Sequence, residues 1–172
     1  MNEITFANCD RTKINLGSGK SYRPDCWNID INPKFKPDIL CNMMELKCDK
    51  NLFTEVLMYD VLIHLKPNDA RVMLRKVLGW LKPDGVLRIR LPNLDWLVEV
   101  LYKSEDENMR HEALKWMYGT DGIGTTDYES NMLRWAYTKQ SLTELLEDVG
   151  FKILGHYVDC NGFSLSVDAQ KC

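Results

Sequence analysis

Long apolar runs, clustered basic charge and paired cysteine or histidine spacings are all missing from this 172-residue chain. No uncharged apolar stretch approaches the about 20 residues needed to span a bilayer, so no membrane association is expected. The first residues, Met1-Asn2-Glu3-Ile4-Thr5, lack the basic flank and apolar core of a signal peptide. No run of Lys or Arg stands out and the net charge is −3, which argues against bulk attraction to nucleic acid. The six cysteines show neither C-x-x-C nor a paired histidine spacing. They are expected to be reduced thiols, with no metal site and no disulfide framework, in a cytoplasmic protein.

What is present is an ordinary globular composition, 45% hydrophobic and 27% charged, with a length that suits one domain. Strand candidates alternate with helices, the pattern of a mostly parallel, helix-covered sheet. Strands are predicted at 13–17, 27–31, 38–41, 55–59, 85–91, 151–158 and 163–171, and helices at 68–81, 94–103, 108–118 and 139–148. The helix at 68–81 is the best defined. Pro67 and Asn68 open it, and Ala70, Met73, Leu74, Val77, Leu78 and Leu81 recur at spacings of three and four. Lys82-Pro83-Asp84-Gly85 ends it. The following strand alternates apolar residues with Arg88 and Arg90, for which Asp168 on the last strand is the expected ion-pair partner. The aromatic set Trp80, Trp96, Tyr102, Trp116 and Tyr118 lies at helical spacings and is read as core or cover.

The most informative stretch is Asn15-Leu16-Gly17-Ser18-Gly19, followed by Trp27-Asn28-Ile29-Asp30. Glycines let a strand turn sharply and approach a ligand closely. Asp30, 11 residues after Gly19, would end the next strand, where a carboxylate can accept both hydroxyls of a ribose. A nicotinamide site usually carries a third glycine and an acid about 20 residues on. Here Tyr22 holds the third position and the acid comes sooner. A ribose ligand without phosphates, such as S-adenosylmethionine, fits this spacing better. Residues 18–26 are also too few for a full crossover helix, so one face of the sheet near Arg23 should be thinly covered.

The ordered set Asn15 to Gly19, Trp27 to Ile31, Pro37-Asp38-Ile39, Val61 to Leu65, Leu81 to Ile89, Leu91 to Leu94 and Gly150-Phe151 resembles the class I S-adenosylmethionine-dependent methyltransferases. It is most similar to the small bacterial branch of the methyltransferase type 11 group. The resemblance implies a single-domain, Rossmann-like α/β fold over 1–172 with a reduced first crossover helix. Its seven-stranded, mostly parallel sheet would have the order 3-2-1-4-5-7-6, with the last strand antiparallel. It divides the chain into a cofactor-binding half (1–92), a substrate-recognition or lid insertion (93–137), and a last helix with a C-terminal hairpin (138–172).

By the same likeness Leu16, Gly17, Ser18 and Gly19 would face the methionine portion of the cofactor, and Asp30 with Ile31 the ribose. Asn42 and Met43 would edge the adenine, and Met58, Tyr59 and Asp60 would lie beside the sulfonium. The chain departs from the family pattern at Thr54, Ile63, Asn93 and Leu133. On chemical grounds His64 and Asp60 are the candidate general bases, since an imidazole titrates near neutrality and strand ends bind ligands. Asn93, Asn131, Arg134, Trp135 and Tyr137 are the candidate substrate residues, with Arg134 for an anion and the two aromatics for stacking. The implied activity is methyl transfer to a small molecule: a sugar, nucleotide sugar or natural-product intermediate, oxygen slightly favoured over nitrogen. The alternative is a non-catalytic S-adenosylmethionine-binding module or partner subunit.

Overall fold

A computed structural model of the chain describes Phe6 and residues 11–118 and 133–172. Seven strands form one sheet in the order β3-β2-β1-β4-β5-β7-β6. They are β1 (Lys13–Leu16), β2 (Cys26–Asp30), β3 (Ile39–Leu40), β4 (Phe53–Tyr59), β5 (Leu81–Pro92), β6 (Phe151–Val158) and β7 (Ser164–Lys171). β1 to β5 pair in parallel, and β7 runs antiparallel between β5 and β6. The expected strand order is the observed one. Among the described residues the helices are α1 (Pro67–Trp80), α2 (Leu94–Lys103), α3 (Glu107–Tyr118) and α4 (Lys139–Val149).

α1 forms where the apolar period predicts it. Pro67 sits in its first turn, and Ala70, Met73, Leu74, Val77 and Trp80 are buried along one stripe. Leu81, predicted as the last helical residue, already pairs with Phe53 as strand. The register then jumps to Glu55 opposite Val86, so Lys82-Pro83-Asp84-Gly85 loop out, with Asp84 left-handed at φ 62°. A Cβ on Gly85 would stand 2.8 Å from the Lys82 carbonyl, which is why glycine closes this turn. α4 is delimited by a Thr138–Ser141 capping box and by Gly150 in the left-handed region at φ 110°.

α1 and α4 contribute to one core with Ile14, Leu16, Val56, Met58, Leu87, Ile89, Leu165 and Val167 from the same face of the sheet. Phe6 closes this core, edge-on to Trp27 and Phe53 at 5.5 and 5.4 Å between centroids. The opposite face is different. No helix links β1 to β2, and only the 3-10 turn Pro33–Phe35 lies between β2 and β3. The expectation of a reduced first crossover holds, and it leaves this face open.

The open face carries polar side chains in a ladder that crosses four strands. Lys13 pairs with Glu55 (3.2 Å), Glu55 with Arg88 (2.6 Å), and Arg88 with Asp168 (2.6 Å). Asp25 extends the ladder by binding Lys13 at 3.1 Å. The expected Arg88–Asp168 pair is present, but Arg90 does not share it. β5–β7 register sets Arg88 opposite Asp168 and Arg90 opposite Ser166. Arg90 therefore turns to Asp60 at the end of β4, with which it forms an ion pair.

The aromatic set also divides. Trp80 is core, and Trp96 and Trp116 flank Phe163 at 5.6 and 4.7 Å. Tyr102 and Tyr118 are 88% and 72% exposed, so the expectation of core or cover fails for them. Spacing places side chains on a common helix face without saying what that face meets.

Candidate functional site

The glycine turn and Asp30 meet as the sequence requires. Gly17 and Gly19 both have left-handed backbones, at φ 64° and 49°. The buried Ser18 between them donates its amide to the Ile29 carbonyl at 3.0 Å, tying the turn to β2. The Gly19 amide donates to Asp30 Oδ2 at 2.7 Å, and the Asn32 amide to Asp30 Oδ1 at 2.8 Å. Asp30 is 8% exposed. Each carboxylate oxygen thus accepts one backbone hydrogen bond and keeps a further lone pair. A Cβ on Gly19 would meet nothing within 4 Å, whereas one on Gly17 would lie 2.3 Å from Val61 Cγ2. The turn is open beside Asp30 and closed against the loop after β4.

A polar network pins the short crossover in place of a helix. Buried Asn28 donates Nδ2 to the Arg23 carbonyl (2.8 Å) and accepts from the Arg23 amide (2.9 Å) and Asn15 Nδ2 (3.1 Å). Asn15 also donates to the Ser21 carbonyl at 2.9 Å. Asp38 accepts from the Asn28 amide (2.8 Å), Asn28 Nδ2 (3.0 Å), the Tyr22 hydroxyl (2.9 Å) and Arg11 (2.9 Å). Burial alone would raise the Asp38 pKa, but these donors outweigh it and hold the carboxyl below its ordinary value. Tyr22, at the missing-glycine position, is thereby a structural donor, and its hydroxyl is raised chiefly by the bond to Asp38. The sequence reading missed Asn15, Asn28 and Asp38 as a set. The signal was available in two amides on otherwise apolar inner strands.

Other candidates fall into place around this centre. The Cys41 amide bonds the Asp30 carbonyl at 3.0 Å, bringing the half-buried Asn42 and Met43 alongside. Asn42 Oδ1 accepts from the Met44 amide at 3.0 Å. Ile31 is exposed, next to Asp30. Leu16 and Met58 differ from expectation: both side chains are wholly buried in the core under α1 and α4, so neither can offer more than backbone. Tyr59 lies on the open face, its ring 5.3 Å from the Arg23 guanidinium carbon and 5.1 Å from that of Arg90. Asp60 adopts φ 56°, and its carboxylate is engaged by Arg90, which binds it to the end of β5 instead of leaving it free.

His64 ends the 3-10 turn Leu62–His64 and is half-buried. The Arg134 and Trp135 amides both donate to the Ile63 carbonyl, at 2.9 and 3.2 Å, so these two exposed residues begin beside His64. Tyr137 does not stack in the open. It is 3% exposed within the main core, and burial pushes its hydroxyl up to about 12. A β-bridge joins it to Asn93, whose Nδ2 donates to the Gly162 carbonyl at 2.9 Å. The Tyr137 hydroxyl and Asn93 Oδ1 are buried polar atoms that make no hydrogen bond among the described residues. Asn131 and the rest of segment 119–132 lie outside the described residues.

Comparison with solved structures fixes the fold. A methyltransferase from Methanosarcina mazei, named as S-adenosylmethionine-dependent, aligns at TM-score 0.62 and 17% identity over 92% of this chain and 91% of its own. The Burkholderia thailandensis 1,6-didemethyltoxoflavin-N1-methyltransferase, bound to S-adenosylhomocysteine, aligns at 0.60 and 16% over 92% and 70%. This is the class I methyltransferase fold. A Bordetella parapertussis protein described as a possible exported protein aligns at 0.64 and 14% over 92% of this chain, which spans only 61% of it. No protein-family model and no curated protein matches the chain. In the class I fold, Gly17 to Gly19 and Asp30 occupy the turn after the first strand and the end of the second.

Proposed function

We propose that the chain transfers a methyl group from S-adenosylmethionine to a small-molecule acceptor. The observation that carries this reading is the Asp30 carboxylate, held between the Gly19 and Asn32 amides at the mouth of a glycine turn with open space beside it. Its remaining lone pairs suit the two donors of a ribose diol. No phosphate cradle accompanies it, since Tyr22 replaces the third glycine. Gly17 to Gly19, Asp30, Ile31, Asn42 and Met43 would hold the cofactor. With Asn42 Oδ1 taken by Met44, its Nδ2 hydrogens are the groups left to meet an adenine ring nitrogen.

When bound, S-adenosylmethionine supplies a methyl already activated by positive sulfur. The work left to this chain is therefore mainly positioning, which can lower a barrier by about 7–11 kcal/mol. General-base assistance typically adds about 10²–10⁴-fold. His64 is the residue for that role, because Asp60 is tied to Arg90 and acts by holding the ends of β4 and β5 together. Arg134 and Trp135 begin beside His64 and are exposed, where a substrate can reach them. That set suits a hydroxylated acceptor such as a sugar, nucleotide sugar or natural-product intermediate, with oxygen favoured. The fold's occurrence in the 1,6-didemethyltoxoflavin-N1-methyltransferase supports a small-molecule acceptor. We place this activity in the cytoplasm; among the described residues no helix is long and apolar enough to cross a membrane.

The engagement of Asp60 favours one rival, a cofactor-binding module without catalysis. Incubating the protein with methyl-labelled S-adenosylmethionine and small-molecule extracts separates the two. Label appearing in a small-molecule fraction, and fading with His64→Ala, is the expected result. Tight cofactor binding without label transfer or S-adenosylhomocysteine release from any extract would support the module and overturn the enzyme.

A further inference from the structure

The open face of the sheet contains a cavity of about 480 Å³ that shares only Tyr59 with the candidate cofactor residues. Arg23, Tyr59, Arg88, Arg90, Tyr157 and Ser166 are among its walls. Its size falls within the roughly 300–1,000 Å³ of small-molecule sites. The one acid in the lining, Asp168, is already paired with Arg88.

The three arginines are not equivalent. Arg88 is clamped between Glu55 and Asp168, and Arg90 is paired with Asp60. Arg23 makes no salt bridge among the described residues and lies over the Tyr59 ring. Its backbone is nevertheless fixed at three points: its amide donates to Asn28 Oδ1, and its carbonyl accepts from Asn28 Nδ2 and the Cys26 amide. An exposed guanidinium that pairs with no carboxylate among the described residues is available to an oxyanion. In the same lining, Tyr157 lies along its own strand because residue 155 is glycine. A Cβ there would sit 3.0 Å from the Tyr157 hydroxyl. Two tyrosine rings and three hydroxyls thus accompany a single cation without a salt bridge among the described residues.

We propose that this cavity binds a small phosphate ester carrying a flat ring. Arg23 takes the phosphate oxygens through its paired N–H donors, Ser166 and the tyrosine hydroxyls offer further donors, and the ring packs on Tyr157. Asp30 is not among the cavity's walls, and the proposal stands whether or not the chain transfers methyl groups. Arg90 links it through Asp60 to the loop after β4.

Phenyl phosphate tests the proposal, because it has the phosphate and the ring but no ribose for Asp30. Titration calorimetry on the full chain, saturated with S-adenosylhomocysteine, is expected to show phenyl phosphate binding more tightly than inorganic phosphate or phenol. Arg23→Ala should weaken it about 10- to 100-fold, and added salt should weaken it in the wild type. Arg23→Gln provides a second test that keeps much of the side-chain volume, with thermal melts confirming that each variant folds. Wild type without millimolar binding of phenyl phosphate, or folded Arg23 variants that bind as the wild type does, would overturn the proposal. S-adenosylhomocysteine binding read in the same experiment reports on the methyltransferase reading separately.

Discussion

Leu87 and Ile89 of β5 share a core with α1 and α4, while their neighbours Arg88 and Arg90 lie half-exposed on the sheet's other face. A parallel sheet normally needs helices on both faces because its strands are apolar throughout. Among the described residues the helices packed on the sheet, α1 and α4, lie on one side, and the strand chemistry changes on the other. The short link 17–25 carries no helix, and Asn15, Asn28 and Asp38 hold it over β1 and β2 by hydrogen bonds. Beyond that link the exposed surface is satisfied by the ladder from Lys13 to Asp168. The two faces differ in kind. One is held by apolar burial, and the other by charge pairs that leave room for ligands.

That contrast can be broken residue by residue. Ile89→Ala, at a site 1% exposed, should cost about 2–5 kcal/mol in urea unfolding through lost transfer energy and a residual cavity. Arg88→Met, one residue away, leaves Glu55 and Asp168 without their shared partner. It should cost about 1–2 kcal/mol in the same assay, tempered by solvent screening of a half-exposed guanidinium. Costs in the reverse order would mean that the polar face carries the fold.

Asp38→Asn sharpens the contrast through pH. The folded pKa of Asp38 is depressed, so its stabilising effect is present above the ordinary value of 3.8 and fades as pH falls through the folded value. Unfolding midpoints followed from pH 5 to pH 2.5 should therefore decline less steeply in the variant. An equal decline would remove Asp38 from the account of the crossover. The smallest effect belongs to the exposed Arg71–Asp148 pair between α1 and α4, at 3.3 Å. Arg71→Ala should shift stability by no more than about 0.5–1 kcal/mol, a change visible only in replicate melts.

Much of this architecture is written in local pattern. The apolar period of α1, the glycine turn before Asp30 and the shortness of the first crossover all follow from spacing, and each reappears in the structure. What escaped the sequence depends on register and depth. The alternation of Arg88 and Arg90 announces a polar face, but only the β5–β7 register decides that one meets Asp168 and the other Ser166. Tyr137 reads like a loop aromatic, yet its bridge to Asn93 carries it into the core. Asp60 reads like a candidate base, and the fold pairs its carboxylate with Arg90 of β5. Tyr102 shares its helical spacing with buried residues but points to water.

The central claim is that Asp30 and the Gly17–Gly19 turn form an adenosyl site, and its most direct test is calorimetric titration with S-adenosylhomocysteine. Saturable binding to the wild type is predicted, weakened about 10- to 150-fold in Asp30→Ala as charge-assisted hydrogen bonds are lost. Equal affinity in the two proteins, or no binding to the folded wild type, would contradict it.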